Sequence, residues 1–431
     1  MLKSNNLKFL AIILVLIVPT IMYGQNSSST SSVYSRYGFG NLYGTSFGKG
    51  DAMGGIGIGT RDSYQINTAN PASYTAIDSL TFLMQFGMDA KFTNSKTTDT
   101  ENTRNNVNFN HLTFAFPVTH WWAASFGLLP YATKGYEVST SQGTLGLMSN
   151  SAFSGTGSLT RVFLGNGFKL GKHLSLGVNT WFMFGKIQDN TYIYFPNDVN
   201  AYDYLKNNSL NSHGFGVTGG FQYHLETKNK NKFTIGATFE PRVNINSTYV
   251  IQEERALYRG STAYSEIVDT VRHVESSNNG LQTPQTFGTG FSFSLKNKIT
   301  FGADAYYQKW KDVMFLGQTV DYLTNSSRYS AGLEYVPNLY SIRSYWARAE
   351  YRFGGFYENS YLTLNGIQLK TYGITFGLGL PLSRVYRSLL NLSCELGHMG
   401  TTDNNLIKET YAKFTIHIML HDRWFYKTKF D

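Results

Sequence analysis

From residue 80 onward the chain alternates apolar and polar residues with period two, and this pattern constrains its fold more than any other feature. In "LTFLMQFGMDAKF" one face carries Leu80, Phe82, Met84, Phe86 and Met88, and the other carries Thr81, Gln85, Asp89 and Lys91. "LSLGVNTWFMFG", "FTIGATFEP" and "ITFGADAYYQ" repeat it, with Asp304 and Gln308 on the polar side of the last. Such segments start near residues 80, 107, 122, 157, 173, 212, 231, 284, 298, 327, 344, 368, 387 and 410. The expectation is an all-β chain, a 14-stranded antiparallel transmembrane outer-membrane β-barrel whose even strand number returns both ends to one side of the membrane. Connections after odd strands read as long and polar, for example "TNSKTTDTENTRNN", and those after even strands as tight periplasmic turns such as "KNK" at 296.

Magnitude decides which face meets lipid. In "WARAEYRFGG" the residues Arg348, Glu350 and Arg352 share a face, and an arginine facing lipid at the bilayer midplane costs about 2–4 kcal/mol. That face is therefore expected in the lumen. Trp121, Trp122, Trp346 and Trp424 fall near periplasmic strand ends and Trp310 near an outer end, as an aromatic girdle requires. A soluble sandwich would also alternate, but it would not need fourteen strands with such connections.

Aromatic residues make up 16% of the chain and charged residues 15%, a balance that suits pleated surfaces in contact with lipid better than a water-soluble domain. The formal charge of +9 is scattered along the chain, which argues against nucleic acid and for outer-membrane lipid and lipopolysaccharide as surroundings. Residues 1–24 read as a signal peptide, with Lys3 and Lys8 ahead of an apolar run from Phe9 to Val18 and a cut near Gly24. Cys394 is the single cysteine, so no intramolecular disulfide can form. Residues 25–78 lack alternation and are expected as a plug, or hatch, inside a barrel formed by residues 79–431, because fourteen strands leave a lumen that something must close.

The hatch contains "AMGGIGIGTRDSYQINTANPASY", whose Gly54, Gly55, Gly57 and Gly59 could be mistaken for a phosphate loop. A dinucleotide loop needs a preceding strand and a following helix, and neither is present. Close backbone packing is the expected role. This segment, with "FGLLPY" and "TPQTFGTGFSF" followed by "ITFGADAYYQKW", resembles the FadL/TodX-type outer-membrane transporters of long-chain fatty acids and other hydrophobic compounds. The resemblance implies a barrel plugged by its N-terminal hatch and a kink in strand three that opens the wall sideways. It places Asn70, Pro71 and Ala72 at a lateral gate near Leu129, Pro130 and Tyr131. The sequence departs from the family pattern at Arg61 and Asp62, where an acidic pair is common, and at Pro130, Tyr131 and Ala132, where Pro-Phe-Gly is.

An amphiphile needs an apolar trough, at about 0.8 kcal/mol per buried methylene, and a cation for its carboxylate. The candidates for the trough are Leu83, Leu129, Trp181, Met183, Tyr306, Val336 and Met419, and the lumen cations are Lys91, Arg161, Lys169, Arg348, Arg352 and Lys413, with Arg161 and Arg348 favoured; the bland alternative is that such cations pair with Glu240, Glu334 and Glu350 across the lumen. No enzyme is expected, since G-x-S-x-G, H-E-x-x-H and paired-cysteine motifs are missing from the sequence. His417 and His421 would stand about 14 Å apart on a strand, too far to share a metal. No metal or cofactor is expected. The functional expectation is passive uptake of hydrophobic small molecules such as long-chain fatty acids, by capture in the lumen, a hatch shift and lateral release. The alternatives are a non-transporting barrel in an envelope secretion or assembly complex, and a hydrolase assembled from scattered Ser, His and Asp.

Overall fold

In the computed structural model of the chain, residues 32–144, 147–196, 198, 200–257, 266–277, 280–383 and 387–424 are described. The signal-peptide segment 1–24 and the ending "FYKTKFD" lie outside the described residues. Fourteen wall strands form one antiparallel sheet: β1 (Thr81–Lys96), β2 (Glu101–Pro117), β3 (Trp122–Thr144), β4 (Leu147–Leu170), β5 (Leu174–Tyr194) and β6 (Asp203–Glu226) come first. β7 is broken into Lys232–Glu240 and Val243–Leu257, and β8 into Glu266–Ser277, Leu281–Thr283 and Gln285–Leu295. β9 (Ile299–Lys309), β10 (Ser326–Tyr335), β11 (Glu350–Leu364), β12 (Ile367–Pro381), β13 (Leu389–Met399) and β14 (Lys408–Arg423) complete the wall. β14 pairs back on β1 from Thr81↔Arg423 to Lys96↔Lys408, so the barrel closes and leaves no free edge there.

Burial follows the alternation with the sign a membrane barrel requires. Leu176, Phe184, Ile235, Phe239 and Phe301 are exposed on the outside, whereas Gln85, Asp89, Asn179, Gln222, Asp304 and Arg352 are buried inside. A soluble protein would reverse these sets. At the short-turn end, Trp121, Trp346 and Trp424 are exposed, and Phe82 stacks on Trp424 at 4.0 Å between ring centroids.

Three expectations need correction. Several connections that read as long loops are strand: β1 runs to Lys96 and β2 starts at Glu101, while β4 and β6 begin well before 157 and 212. Beyond the bilayer both faces meet water, so a ladder continues without apolar alternation and the sequence signal disappears. The turn 336–349 is in turn long on the side expected to be short, so loop length does not alternate throughout. Trp310 does not belong to a girdle, because it is fully buried, stacked on Tyr361 at 4.6 Å and bonded from Nε1 to Gln308 at 3.0 Å.

The interior is occupied by the N-terminal segment. Ser32 Oγ donates to the Glu409 carboxylate of β14 at 2.8 Å, and Tyr34 OH donates to the Ile407 carbonyl. Phe39 packs edge-on against Tyr131, Trp310 and Phe315. Further along, the backbone of residues 53–72 lies directly on the wall, which is possible because the wall there is glycine. A Cβ on Gly177 would come within 2.3 Å of Pro71 C, one on Gly236 within 2.1 Å of the Ile58 carbonyl oxygen, and one on Gly354 within 2.3 Å of Met53 C.

Candidate functional site: the lumen and its kinked strand

The glycine-rich stretch does cradle an anion, but one that belongs to the protein. Gly57 N–H and Ile58 N–H donate to the Asp304 carboxylate of β9 at 2.6 and 2.8 Å. Gln222 of β6 donates to the Ile58 and Thr60 carbonyls at 3.0 Å each, and Ser292 Oγ of β8 donates to the Gly59 carbonyl at 2.7 Å. Bonds donated to a charged acceptor are stronger than those to a neutral one. The loop is thus stitched to three wall strands.

Asn70 turns the chain into the 3₁₀ helix Pro71–Ala76. Its Oδ1 accepts from Ala72 N–H at 3.1 Å, and its Nδ2 donates to the Ile58 and Phe221 carbonyls at 2.9 and 3.0 Å. The pairing of proline at the first helical position with an asparagine cap is the local reason the helix begins here. Tyr74 at its far side donates to Asn179 Oδ1 at 3.0 Å.

A second anchor is ionic. Lys49 Nζ lies 2.6 Å from Asp62 and 3.8 Å from Glu334, and Glu334 accepts from Arg352 Nε at 2.7 Å. Burial would push the Asp62 carboxyl up, but Lys49 and the Tyr64 N–H hold it down at about 2, below its ordinary value of 3.8. A folded value below the unfolded one stabilises the native state above about pH 4 and loses that stabilisation as pH falls towards about 2. Hydrogen-exchange protection of the Tyr64 amide, which donates to Asp62 at 2.9 Å, should therefore hold down to about pH 4 and fall below it. Protection unchanged at about pH 2.5 would contradict the clasp.

Strand three does kink. The β3–β4 ladder slips one residue between Pro130 and Ala132. On the other side, β2 and β3 pair only from Pro117↔Ala123 to Leu112↔Leu128, and above that point β3 pairs with the two-residue strand Asn41–Leu42. Tyr43 N–H donates to the Tyr131 carbonyl at 3.0 Å. Residues 41–43, rather than Asn70, Pro71 and Ala72, therefore sit at the kink. Asn70–Ala72 lie against Gly177 of β5 and Gly220 of β6.

Behind the kink is a cavity of about 350 Å³, whose lining includes Leu129, Pro130, Tyr131, Arg161, Trp181 and Tyr306. The structure thus brings these six expected residues together. Leu83, Met183 and Met419 are fully buried in packed core and do not line the cavity. Arg348 lies outside the wall, because β11 begins at Glu350 and a turn closed by Arg348 N–H to the Tyr345 carbonyl at 3.0 Å precedes it. Serine and asparagine in that turn hold its backbone locally, Ser344 Oγ accepting from Ala347 N–H at 3.3 Å and Asn338 Oδ1 from Tyr340 N–H at 3.2 Å, and the strand begins six residues later than the sequence suggests.

The cavity cations have partners. Arg161 donates to Glu240 at 2.8 Å and is sandwiched between Tyr131 and Trp181 at 4.1 and 3.9 Å. Arg328 pairs with Glu358 at 2.9 Å, Lys413 with Glu395 at 2.8 Å, and Lys91 sits over Tyr411 at 4.1 Å. Among the lining residues that the sequence reading did not name are the wall aromatics Phe163 and Phe356, and Tyr43, Thr45 and Phe47 of the N-terminal segment, where alternation gives no direction for a side chain.

A family model described as BamG matches residues 6–431. The chain belongs to the BamG family. Among curated proteins, no sequence matches it. Solved structures with the same architecture include a Pseudomonas aeruginosa FadL homologue (10% identical, covering 90% of this chain and 100% of that one, TM-score 0.61). The P. putida toluene transporter TodX is 14% identical over 89% of this chain and all of its own, with TM-score 0.59. The CymD monoaromatic hydrocarbon channel is 13% identical over 90% and 98%, with TM-score 0.54. At these identities the likeness establishes the fold, a FadL/TodX-type closed barrel.

Proposed function

We propose that this BamG-family barrel resides in the outer membrane and passes hydrophobic small molecules through its outer lumen, taking them into the cavity behind the strand-three kink. The observation that carries the reading is the cavity itself, where Leu129, Tyr131, Phe163, Trp181 and Phe356 supply apolar and aromatic surface beside an interrupted β2–β3 ladder. The apolar outer surface of the barrel and the fold it shares with proteins named as toluene and monoaromatic hydrocarbon channels support it. Because Arg161 already has Glu240, a neutral ligand fits the cavity without breaking an ion pair, whereas a long-chain fatty acid would have to displace Glu240 from Arg161. Release would require the segment 41–43 to leave β3. Mass spectrometry of the purified barrel should find a co-extracted hydrophobic compound, and deletion should lower uptake of labelled toluene or labelled long-chain fatty acid. Finding no ligand and unchanged uptake of both would defeat the proposal.

One observation favours a second reading, a barrel that transports nothing and serves as a subunit of an envelope secretion or assembly complex. The N-terminal segment is held by wall residues on β6, β8, β9, β12 and β14, which is a large number of bonds for a plug that must shift. Stoichiometric copurification of other envelope proteins with unchanged solute uptake would select this reading.

A further inference from the structure

At the short-turn mouth of the barrel, Arg61 differs from the lumen arginines Arg161, Arg328 and Arg352, each of which has a carboxylate partner. Its guanidinium is held only by neutral acceptors: Thr75 Oγ1 at 2.8 Å, Gln222 Oε1 at 3.2 Å, and Ser175 Oγ and the Ala72 carbonyl at 3.4 Å each. Among the described residues no carboxylate is its partner, and its neighbour Asp62 is committed to Lys49 and the Tyr64 amide. Burial alone lowers the guanidinium to about 10. Arg61 is half-buried, and even a partly desolvated cation without a counter-ion is costly, whereas Arg161, Arg328, Arg352 and Lys413 each have one.

The surroundings repeat the sign. Ser175 of β5, which touches Arg61, pairs directly with Lys169 of β4 on one side and with Gln222 of β6 on the other. Residues opposed in this way share a face with Cβ atoms about 5 Å apart, so Lys169 reaches the same patch of lumen. Two residues beyond Gln222, with the same inward parity, stands His224, whose Nδ1 is buried and whose ring lies at the Lys172 backbone. His173 Nδ1 donates to the His224 carbonyl at 3.0 Å, and Arg61, Lys169 and His173 are the charged or titratable groups acting on the His224 ring. Three strands and the hatch therefore converge donors on one patch, with no acid among the described residues that contact Arg61 or act on His224.

We propose that Arg61, Lys169 and His224 form a binding site for a small oxyanion, a carboxylate or a phosphate, entering from the short-turn mouth. The site does not depend on whether solutes cross the lumen. A bound oxyanion would accept from the second edge of the guanidinium and from Lys169 Nζ, and would supply the missing counter-charge. The carboxylate could belong to an amphiphile and the phosphate to free phosphate, and two probes separate these sources.

The test is calorimetric titration of the full-length barrel in neutral detergent with sodium octanoate and, separately, with inorganic phosphate. At least one should bind saturably, and Arg61→Gln and Lys169→Gln should each weaken it about tenfold or more. Octanoate alone would indicate an amphiphile, and phosphate alone a phosphate source. Because Arg61→Gln also removes bonds within the hatch, Lys169→Gln, which breaks no ion pair among the described residues, and rescue by Arg61→Lys separate binding from seating. No saturable binding of either probe up to about 10 mM, or wild-type binding in both variants, would overturn the proposal.

Discussion

Replacing Arg352 with methionine should destabilise the folded barrel by about 3–5 kcal/mol, the cost of leaving buried charge uncompensated. Its side chain is fully buried and donates to Glu334 at 2.7 Å, to Asn391 Oδ1 at 2.6 Å and to Glu350. Removing it leaves two carboxylates facing one another with only Lys49, 3.8 Å from Glu334, to offset them, and Lys49 already serves Asp62. The loss should therefore spread from β11 to the hatch. Urea titration followed by the gel mobility of the folded barrel gives the midpoint. The triple variant Arg352→Met, Glu334→Gln, Glu350→Gln should recover most of it, since removing the whole ionic group avoids the orphaned charges. A single variant as stable as the parent would show that the network contributes nothing.

The parts of this fold that were legible in the sequence are those on which the bilayer imposes a rule. Phe301 outside and Asp304 inside follow from alternation alone, because an ion facing acyl chains costs more than any other local preference. Where the bilayer ends, the rule ends, and the outer halves of β4 and β6 read as loops. Trp310 was misplaced for a related reason: near a strand end an aromatic residue suits an interface and a buried cap equally well, and only the arrival of Phe39 from far away in sequence decides. The ion pairs were only guessable, since Arg161 and Glu240 are 79 residues apart and meet through the curvature of the barrel. The seat for Asn70–Ala72 was legible on neither side, because a glycine on the inner face of a strand signals space and does not say for what.

That seat supplies the second large effect: Gly177→Val should expel the segment around Asn70. A Cβ at Gly177 would stand 2.3 Å from Pro71 C and 2.4 Å from Ala72 N, and these are backbone atoms that cannot rotate aside. Gly177 is flanked across the ladder by Gly167 and Gly220, and a Cβ at either would also meet this segment within 3 Å, so no neighbouring groove can accept the displaced chain. Overpacking of a rigid contact costs about 1–3 kcal/mol even when neighbours adjust. Here the cheaper relief is for the helix Pro71–Ala76 to leave, losing the bonds of Asn70 to the Ile58 and Phe221 carbonyls and the hold of Thr75 on Arg61. Trypsin then reports the outcome, because Arg61 is shielded while the helix is seated. Gly177→Val should be cut after Arg61, as read by mass spectrometry of the fragments. Gly219→Val is the control: a Cβ there meets nothing nearer than the Phe239 carbonyl oxygen at 3.8 Å, and Arg61 should stay intact. If both variants resist trypsin and match the parent in stability, the Pro71–Ala72 backbone does not rest on Gly177, and the argument that glycine in this wall exists to receive the hatch fails with it.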